Sequence, residues 1–369
     1  TGGGCPHILA EPQRTNLITY SEDFSNVFWT KDNLTVSSNS TTSPDGTLTA
    51  DKIIGSTVSS RHNIGTVIVN TVTGSFSVYA KAKELRYLQI ASANTVNQYA
   101  NFDLLTGTIG TVGINFSNVE IQLISNEWYR ITIVTPNQYN GIYFSLVSSL
   151  TATWLESWVM PNNTDGLYIW GAQLEEGSYP TSYIPTSGST VTRNADVFTR
   201  DGIGSLINST EGVLFVESAA LANDLTWRNI SLSDGTGVNR ILLQYTVVSN
   251  QISIVIIENN NAAASLSYIS SDITLFAKVA IKYKENDVAL WVNGVEIATD
   301  TSAVMPTGLN VLAFNNAVNN DDFYAKVKQL QVYDTALTDN QLIQLTGEAG
   351  THFFESYAEM AEALTYTIQ

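Results

Sequence analysis

Apolar and polar residues alternate with a period of two along most of the chain. In the first half the alternation runs through Leu34–Ser38, Leu48–Ile54, Ser75–Lys83, Tyr87–Ala93, Trp128–Val134, Ile142–Val147 and Leu167–Glu175. Successive side chains of an extended strand point to opposite faces, so each run predicts a strand with one apolar face. The breaks between the runs carry turn residues, as in Ser43-Pro44-Asp45-Gly46 and Pro161-Asn162-Asn163-Thr164-Asp165-Gly166. After Glu211 the same texture resumes in Gly212–Ala219, Asn229–Ser233, Arg240–Val248, Gln251–Ile257, Ala277–Lys284, Val288–Val292, Leu309–Phe314 and Phe323–Tyr333. The pattern predicts antiparallel β-sandwiches in both halves.

Between the halves, Tyr183 to Gly204 holds Pro185, Gly188, Gly202 and Gly204 among Ser and Thr, without alternation. A domain boundary is expected near residue 195, giving domains over 1–195 and 196–347 and a tail over 348–369. Helical signals come late. Thr338 with Gln341 forms one capping box and Ser356 with Glu359 another, each opening a short helix. In the second, Tyr357, Met360 or Ala361, and Leu364 make one apolar stripe, which must dock on its own domain or on copies of itself.

Composition changes this picture by exclusion. The 34 acidic against 17 basic residues leave a charge of −17, which repels DNA, RNA and anionic membrane surfaces. A single cysteine, Cys5, excludes an internal disulfide framework. The start Thr1-Gly2-Gly3-Gly4 has neither initiator Met nor signal-peptide character, so the chain reads as a fragment or processed product. No uncharged apolar stretch approaches the roughly 18 residues of a membrane helix.

Glu11-Pro12-Gln13-Arg14-Thr15-Asn16-Leu17, then Tyr20-Ser21-Glu22-Asp23-Phe24 and Trp29, resemble the opening of a domain common in bacteriophage tail-fibre and head-spike proteins. Ser75-Phe76-Ser77-Val78-Tyr79-Ala80-Lys81-Ala82 fits its middle. Gly166–Gly177 with Thr181-Ser182-Tyr183-Ile184-Pro185-Thr186 resembles its last core strand and exit loop. Residues 205–347 resemble a laminin-G or pentraxin-like domain through Gly212–Val216, the hairpin Asp287–Gly294 and Gln329–Thr338. The tail Phe354–Leu364 resembles the C-terminus of such phage proteins. The resemblance implies an all-β chain: two tandem concanavalin A-like jelly rolls, the first of the carbohydrate-binding-module type, followed by a short C-terminal helix. It also implies a virion protein, made in the bacterial cytoplasm, acting as a homo-oligomer, with trimers favoured, beside other virion proteins.

Catalytic constellations are sparse. Glu285-Asn286-Asp287 lacks the third alternating acid of the glucanases and falls in a hairpin turn; Tyr79 and Lys81 have no Gln-x-His partner. His7, His62 and His352 stand apart from one another and read as structural or surface residues. Calcium has two candidate loops, Asp45 in its Ser-Pro-Asp-Gly turn and Asp321 with Asp322 after Asn319-Asn320, with an ordinary solvated loop as the alternative. Sugar recognition needs exposed aromatics ringed by amides and hydroxyls. Trp29, Trp128, Trp170 and Trp291 belong to alternating strands and are assigned to cores. Trp154 and Trp158, which interrupt the strand pattern, and Trp227 are the candidates for a glycan platform or a subunit contact, with Tyr139 and Tyr99 behind them. The expectation is a non-catalytic fibre or spike protein that binds a surface glycan, against a glycan depolymerase or a purely structural subunit.

Overall fold

The computed structural model describes residues 7–70, 72–92, 95–135 and 139–348. The side chains of Val69, Asn70, Tyr139 and Asn140 lie outside this description, as do Cys5, His352 and the predicted tail helix at Ser356. The described chain is all-β except for one short helix, Asp339–Thr346. It divides into two compact units, one spanning residues 12–195 and the other joining residues up to Glu11 to those from Asp196 onward.

The first unit is a sandwich of two six-stranded antiparallel sheets. One is ordered Thr108–Val112, Tyr99–Asp103, Tyr87–Ser92, Tyr139–Leu146, His62–Asn70, Thr30–Asp32. The other is ordered Ser117–Ser125, Trp128–Thr135, Gly74–Lys81, Gly166–Glu176, Ala50–Gly55, Leu34–Thr41. Phe76, Val78, Ile131 and Ile169 from one sheet meet Ile64, Ile90, Phe102 and Phe144 from the other, all fully buried. Ser117–Ser125, which the alternation does not mark, is an edge strand with no fully buried position. It turns into Trp128–Thr135 through Asn126 (φ 47°) and Glu127 (φ 65°), the paired left-handed conformations that a two-residue hairpin loop requires.

The second unit repeats the architecture. One sheet is ordered Ile8–Leu9, Ala325–Tyr333, Glu211–Ala220, Ala277–Lys284, Val288–Val292, Val295–Asp300. The other is ordered Thr199–Arg200, Val311–Ala313, Arg228–Ser233, Arg240–Tyr245, Gln251–Glu258, Asn261–Ile269. The hairpin at Asn293 (φ 48°) and Gly294 (φ 85°) forms as its sequence predicts. So does the capped helix: the Thr338 hydroxyl accepts from Gln341 N, and Gln341 Oε1 accepts from Thr338 N at 2.9 Å. That helix lays Leu342 and Ile343 over Phe215, Ala280 and Trp291 on the outer face of its sheet. The start of the chain departs from the expected division. Ile8 and Leu9 pair with Val327 and Lys326, so residues 8–11 belong to the second unit.

Alternation predicts which residues are polar, but the polar face is not always wet. Ser75, Ser77, Gln173 and Glu175 point away from the first unit's core and are still buried, because the exit loop after Glu176 folds back across them.

Candidate functional site

Asp51 occupies a core position. On Ala50–Gly55 it shares parity with fully buried Ile53, so its side chain enters the sandwich at one end, where it is 2% exposed. Two backbone amides meet it there. Phe24 N donates to Oδ2 and Asn39 N to Oδ1, each at 2.9 Å. Asn39 N is available because Asn39 is left-handed (φ 51°) and the edge strand's register shifts between Ser37 and Thr41. Burial pushes the Asp51 carboxyl up, with nearby Asp23 adding to the effect, to about 6 despite the two amides and Lys31.

Around Asp51 opens a cleft of about 600 Å³ lined by Tyr20, Glu22, Asp23, Asn39 and the hydroxyls of Thr49 and Ser187, among others. Asp23 Oδ1 caps its own turn by accepting from Ser25 N and Asn26 N, each at 3.1 Å. Glu22 accepts the Tyr183 hydroxyl at 2.9 Å. Burial, with Glu22 adjacent, holds that phenol far above its ordinary range. Lys31 donates to the Ser25 and Asn26 carbonyls at 2.7 Å each, and burial lowers its pKa against the pull of Asp23 and Asp51. The cleft therefore offers carboxylates, hydroxyls, one carboxamide and one aromatic ring. In the sequence the site is marked only by an acid, Asp51, at the parity of apolar Ile53 within the alternating run Leu48–Ile54.

One wall of the cleft is built by the opening and closing motifs together. Asn16 Nδ2 donates to the carbonyls of Ile184 (2.9 Å) and Ala172 (3.3 Å), while its Oδ1 accepts from Ile18 N and Leu174 N at 3.1 Å each. Gln173 Oε1 accepts from Ile184 N at 2.6 Å, and Glu175 accepts the amide of Thr181 at 2.9 Å as well as its hydroxyl. Ser21 Oγ accepts from Thr186 N at 2.8 Å. The motif residues thus form a buried polar clasp that fixes Pro185, Thr186 and Ser187 at the rim.

The sequence-predicted aromatics separate. Residues 148–160 cross the outer face of the first sheet, held by Gln89 and Asn101. Gln89 donates to Thr153 O at 3.0 Å and accepts from Leu155 N at 2.7 Å, and Asn101 donates to Ala152 O at 2.8 Å. On this strap Trp154 packs on Ala91, Tyr99 and Tyr143. Trp158 instead packs against the main core, donates to Leu146 O at 2.9 Å and meets the ring of buried His62 edge-on at 6.2 Å. The two indoles therefore do not make one platform. Tyr139 opens a strand, and its side chain lies outside the described residues. In the second unit Trp227 is 42% exposed beside Leu225, which is 50% exposed and left-handed (φ 60°). Their loop is stiffened by Arg228, which pairs with Asp224 at 2.7 Å and donates to Ala222 O at 2.8 Å. Asn223 ties it to Ser249 at 2.8 Å.

The calcium candidates find protein donors. Asp45 Oδ1 accepts from Ser43 Oγ (2.6 Å), Thr47 N (2.9 Å) and Thr47 Oγ1 (2.7 Å). Partial burial pushes its carboxyl up, but these bonds outweigh it and hold the group below its ordinary range. Asp321 accepts from Asn316 at 3.0 Å and Asp322 from the Tyr324 hydroxyl at 2.8 Å, so the two turn to different donors. Among the described residues no three His, Cys, Asp or Glu side chains gather as a metal cluster. Asp287 pairs with Lys282 at 2.7 Å in its hairpin turn.

Residues 219–343, which include the Trp227 loop, match the family model described as the concanavalin A-like lectin/glucanases superfamily, of laminin G type. No curated protein matches the chain. Among solved structures, the CBM40 of the Ruminococcus gnavus IT-sialidase is 18% identical, covering 41% of this chain and 99% of its own, with a TM-score of 0.34. It has also been solved bound to α2,3- and α2,6-sialyllactose. Domains LG4-5 of the mouse laminin alpha1 chain are 12% identical over 72% of this chain and 85% of theirs, with a TM-score of 0.27. Sheep galectin-11, in complex with glycerol, is 7% identical over 38% of this chain and 99% of its own, with a TM-score of 0.27.

Proposed function

We propose that the protein is a non-catalytic glycan-binding component of a bacteriophage fibre or spike, assembled as a homo-oligomer in the virion. The observation that carries the binding reading is the cleft beside Asp51. It is a concave site lined by hydroxyl, carboxamide and carboxylate groups with the Tyr20 ring at its side, the combination that hydrogen-bonds sugar hydroxyls and stacks on a sugar face. The stiffened Trp227 loop, inside the span that matches the lectin/glucanase superfamily, supplies a second contact surface. The fibre reading is supported by the clasp, since the residues that carry the resemblance to phage spike domains act together as one buried unit.

Asp51, raised to about 6 in an acid-lined cleft, favours a second reading as a glycan-cleaving enzyme. Against it, both Asp51 oxygens accept backbone amides, a structural use of the carboxylate. A glycan array probed with the intact chain tests the first reading. Binding that is lost in Tyr20→Ala supports it, and an array without hits overturns it. Release of reducing ends from any bound glycan would instead establish the enzyme.

A further inference from the structure

Resting on that glycan reading, we propose that the cleft selects its sugar by charge, accepting neutral and amine-bearing glycans and rejecting those that carry carboxylate or sulfate. Three of the residues lining it, Glu22, Asp23 and Asp51, are acids, and among the described residues no Lys, Arg or His lines it. An ionised carboxylate only accepts hydrogen bonds. Sugar hydroxyls and ammonium groups can donate to it, whereas a ligand carboxylate or sulfate brings acceptor against acceptor and charge against like charge.

The nearby cation relieves this only in part. Lys31 senses both Asp23 and Asp51, but its ammonium is turned to the carbonyls of Ser25 and Asn26. Asp51 meanwhile lies on the inner face of its strand, out of reach of most solvent screening. Its charge is balanced only by two amide dipoles and the field of Lys31. An ammonium in the cleft supplies the positive charge that these acids lack. Ser38, Ser187 and Asn39, which also line the cleft, bring hydroxyl and carboxamide groups that suit a neutral sugar equally well.

Calorimetric titration of the intact chain at neutral pH with chitotetraose, its fully de-N-acetylated tetramer and tetragalacturonate tests the selection. The expected order is amine-bearing, then neutral, then carboxylated, with the first and last at least about tenfold apart and the gap narrowing as salt is raised. Glu22→Gln keeps an acceptor for the Tyr183 hydroxyl and should narrow the amine-to-neutral ratio about threefold. Equal or tighter binding of tetragalacturonate overturns charge selection and leaves glycan binding standing. No binding to these three or to a broad array overturns both.

Discussion

Asn16 and Ile184 are 168 residues apart in sequence and joined by a 2.9 Å hydrogen bond, from the buried carboxamide of the one to the carbonyl of the other. With its bonds to Ala172, Ile18 and Leu174, the Asn16 side chain satisfies two carbonyls and two amides at once. Asn16→Ala removes all of these partners while the surrounding groups stay buried. At about 1 to 3 kcal/mol for a buried polar group left unpaired, the substitution should destabilise the first unit by more than about 2 kcal/mol. Urea denaturation measures this, and a loss below about 0.5 kcal/mol would show that the clasp does not support the fold.

Asp51 gives the first unit a pH signature of uncommon sign. Its carboxyl titrates at about 6 in the folded chain against 3.8 for an unperturbed aspartate, so between those values the folded state holds the proton more tightly. Its contribution to stability therefore rises as pH falls from about 6 toward 4. Asp103 has the opposite sign. Burial pushes it up, but hydrogen bonds from Arg86 and Leu105 outweigh that and hold it at about 2, so its contribution is lost only as pH drops below about 4. Urea midpoints from about pH 2 to 7 for the native chain and for Asp51→Asn separate the two windows. An unchanged slope in the variant removes Asp51 as the cause.

Trp158 and Trp227 should respond oppositely to truncation. Trp158→Ala opens space against the main core and breaks the bond to Leu146 O, at a cost of about 3 kcal/mol. Trp227→Ala removes a part-exposed ring outside the buried cores and should stay within about 0.5 kcal/mol while weakening glycan capture by the second unit. Thermal melts with array binding on each variant decide the matter; a large melting shift in Trp227→Ala would assign its ring to packing.

The Arg228 side chain is only 3% exposed, so its pairing with Asp224 matters more than a surface ion pair would. Asp224→Ala should cost about 3 kcal/mol in the second unit and release the loop that presents Trp227. Hydrogen exchange at residues 222–228 reads the release. Unchanged protection there would mean that the loop is held by other means.

The strands and the Thr338 helix were legible because period-two alternation and a capping box are local signals. The outer faces were not. Whether Ser75 and Glu175 meet water depends on a loop that folds back from Gly177 onward, and alternation records polarity rather than exposure. Trp154 and Trp158 mislead for a related reason. Their spacing suits one face of a strand or one helical turn, but residues 148–160 form an irregular strap with Leu155 left-handed (φ 46°), pinned by Gln89 and Asn101 from distant strands. Asp51 was legible in principle, since an acid at a core position needs a reason; the Asn39 amide that supplies part of it comes from a register shift with no sequence mark. Strand Ile8–Leu9 is two residues long and carries no periodic signal at all.

That short strand alters how the chain is threaded. Among the described residues the polypeptide runs from the second unit into the first after Glu11 and returns at Asp196, so two covalent crossings join the units over this span rather than one. At the return, Glu11 and Asp196 lie side by side: each backbone amide donates to the other residue at 2.9 Å, to the Asp196 carboxylate and to the Glu11 carbonyl. A protease that nicks one crossing leaves the units tethered by the other, and a pulling force applied at Ile8 and Tyr333 loads the second unit while the first hangs as a closed loop. Residues 196–347 expressed alone would also lack their edge strand, exposing the flank of Ala325–Tyr333 to pairing with another chain.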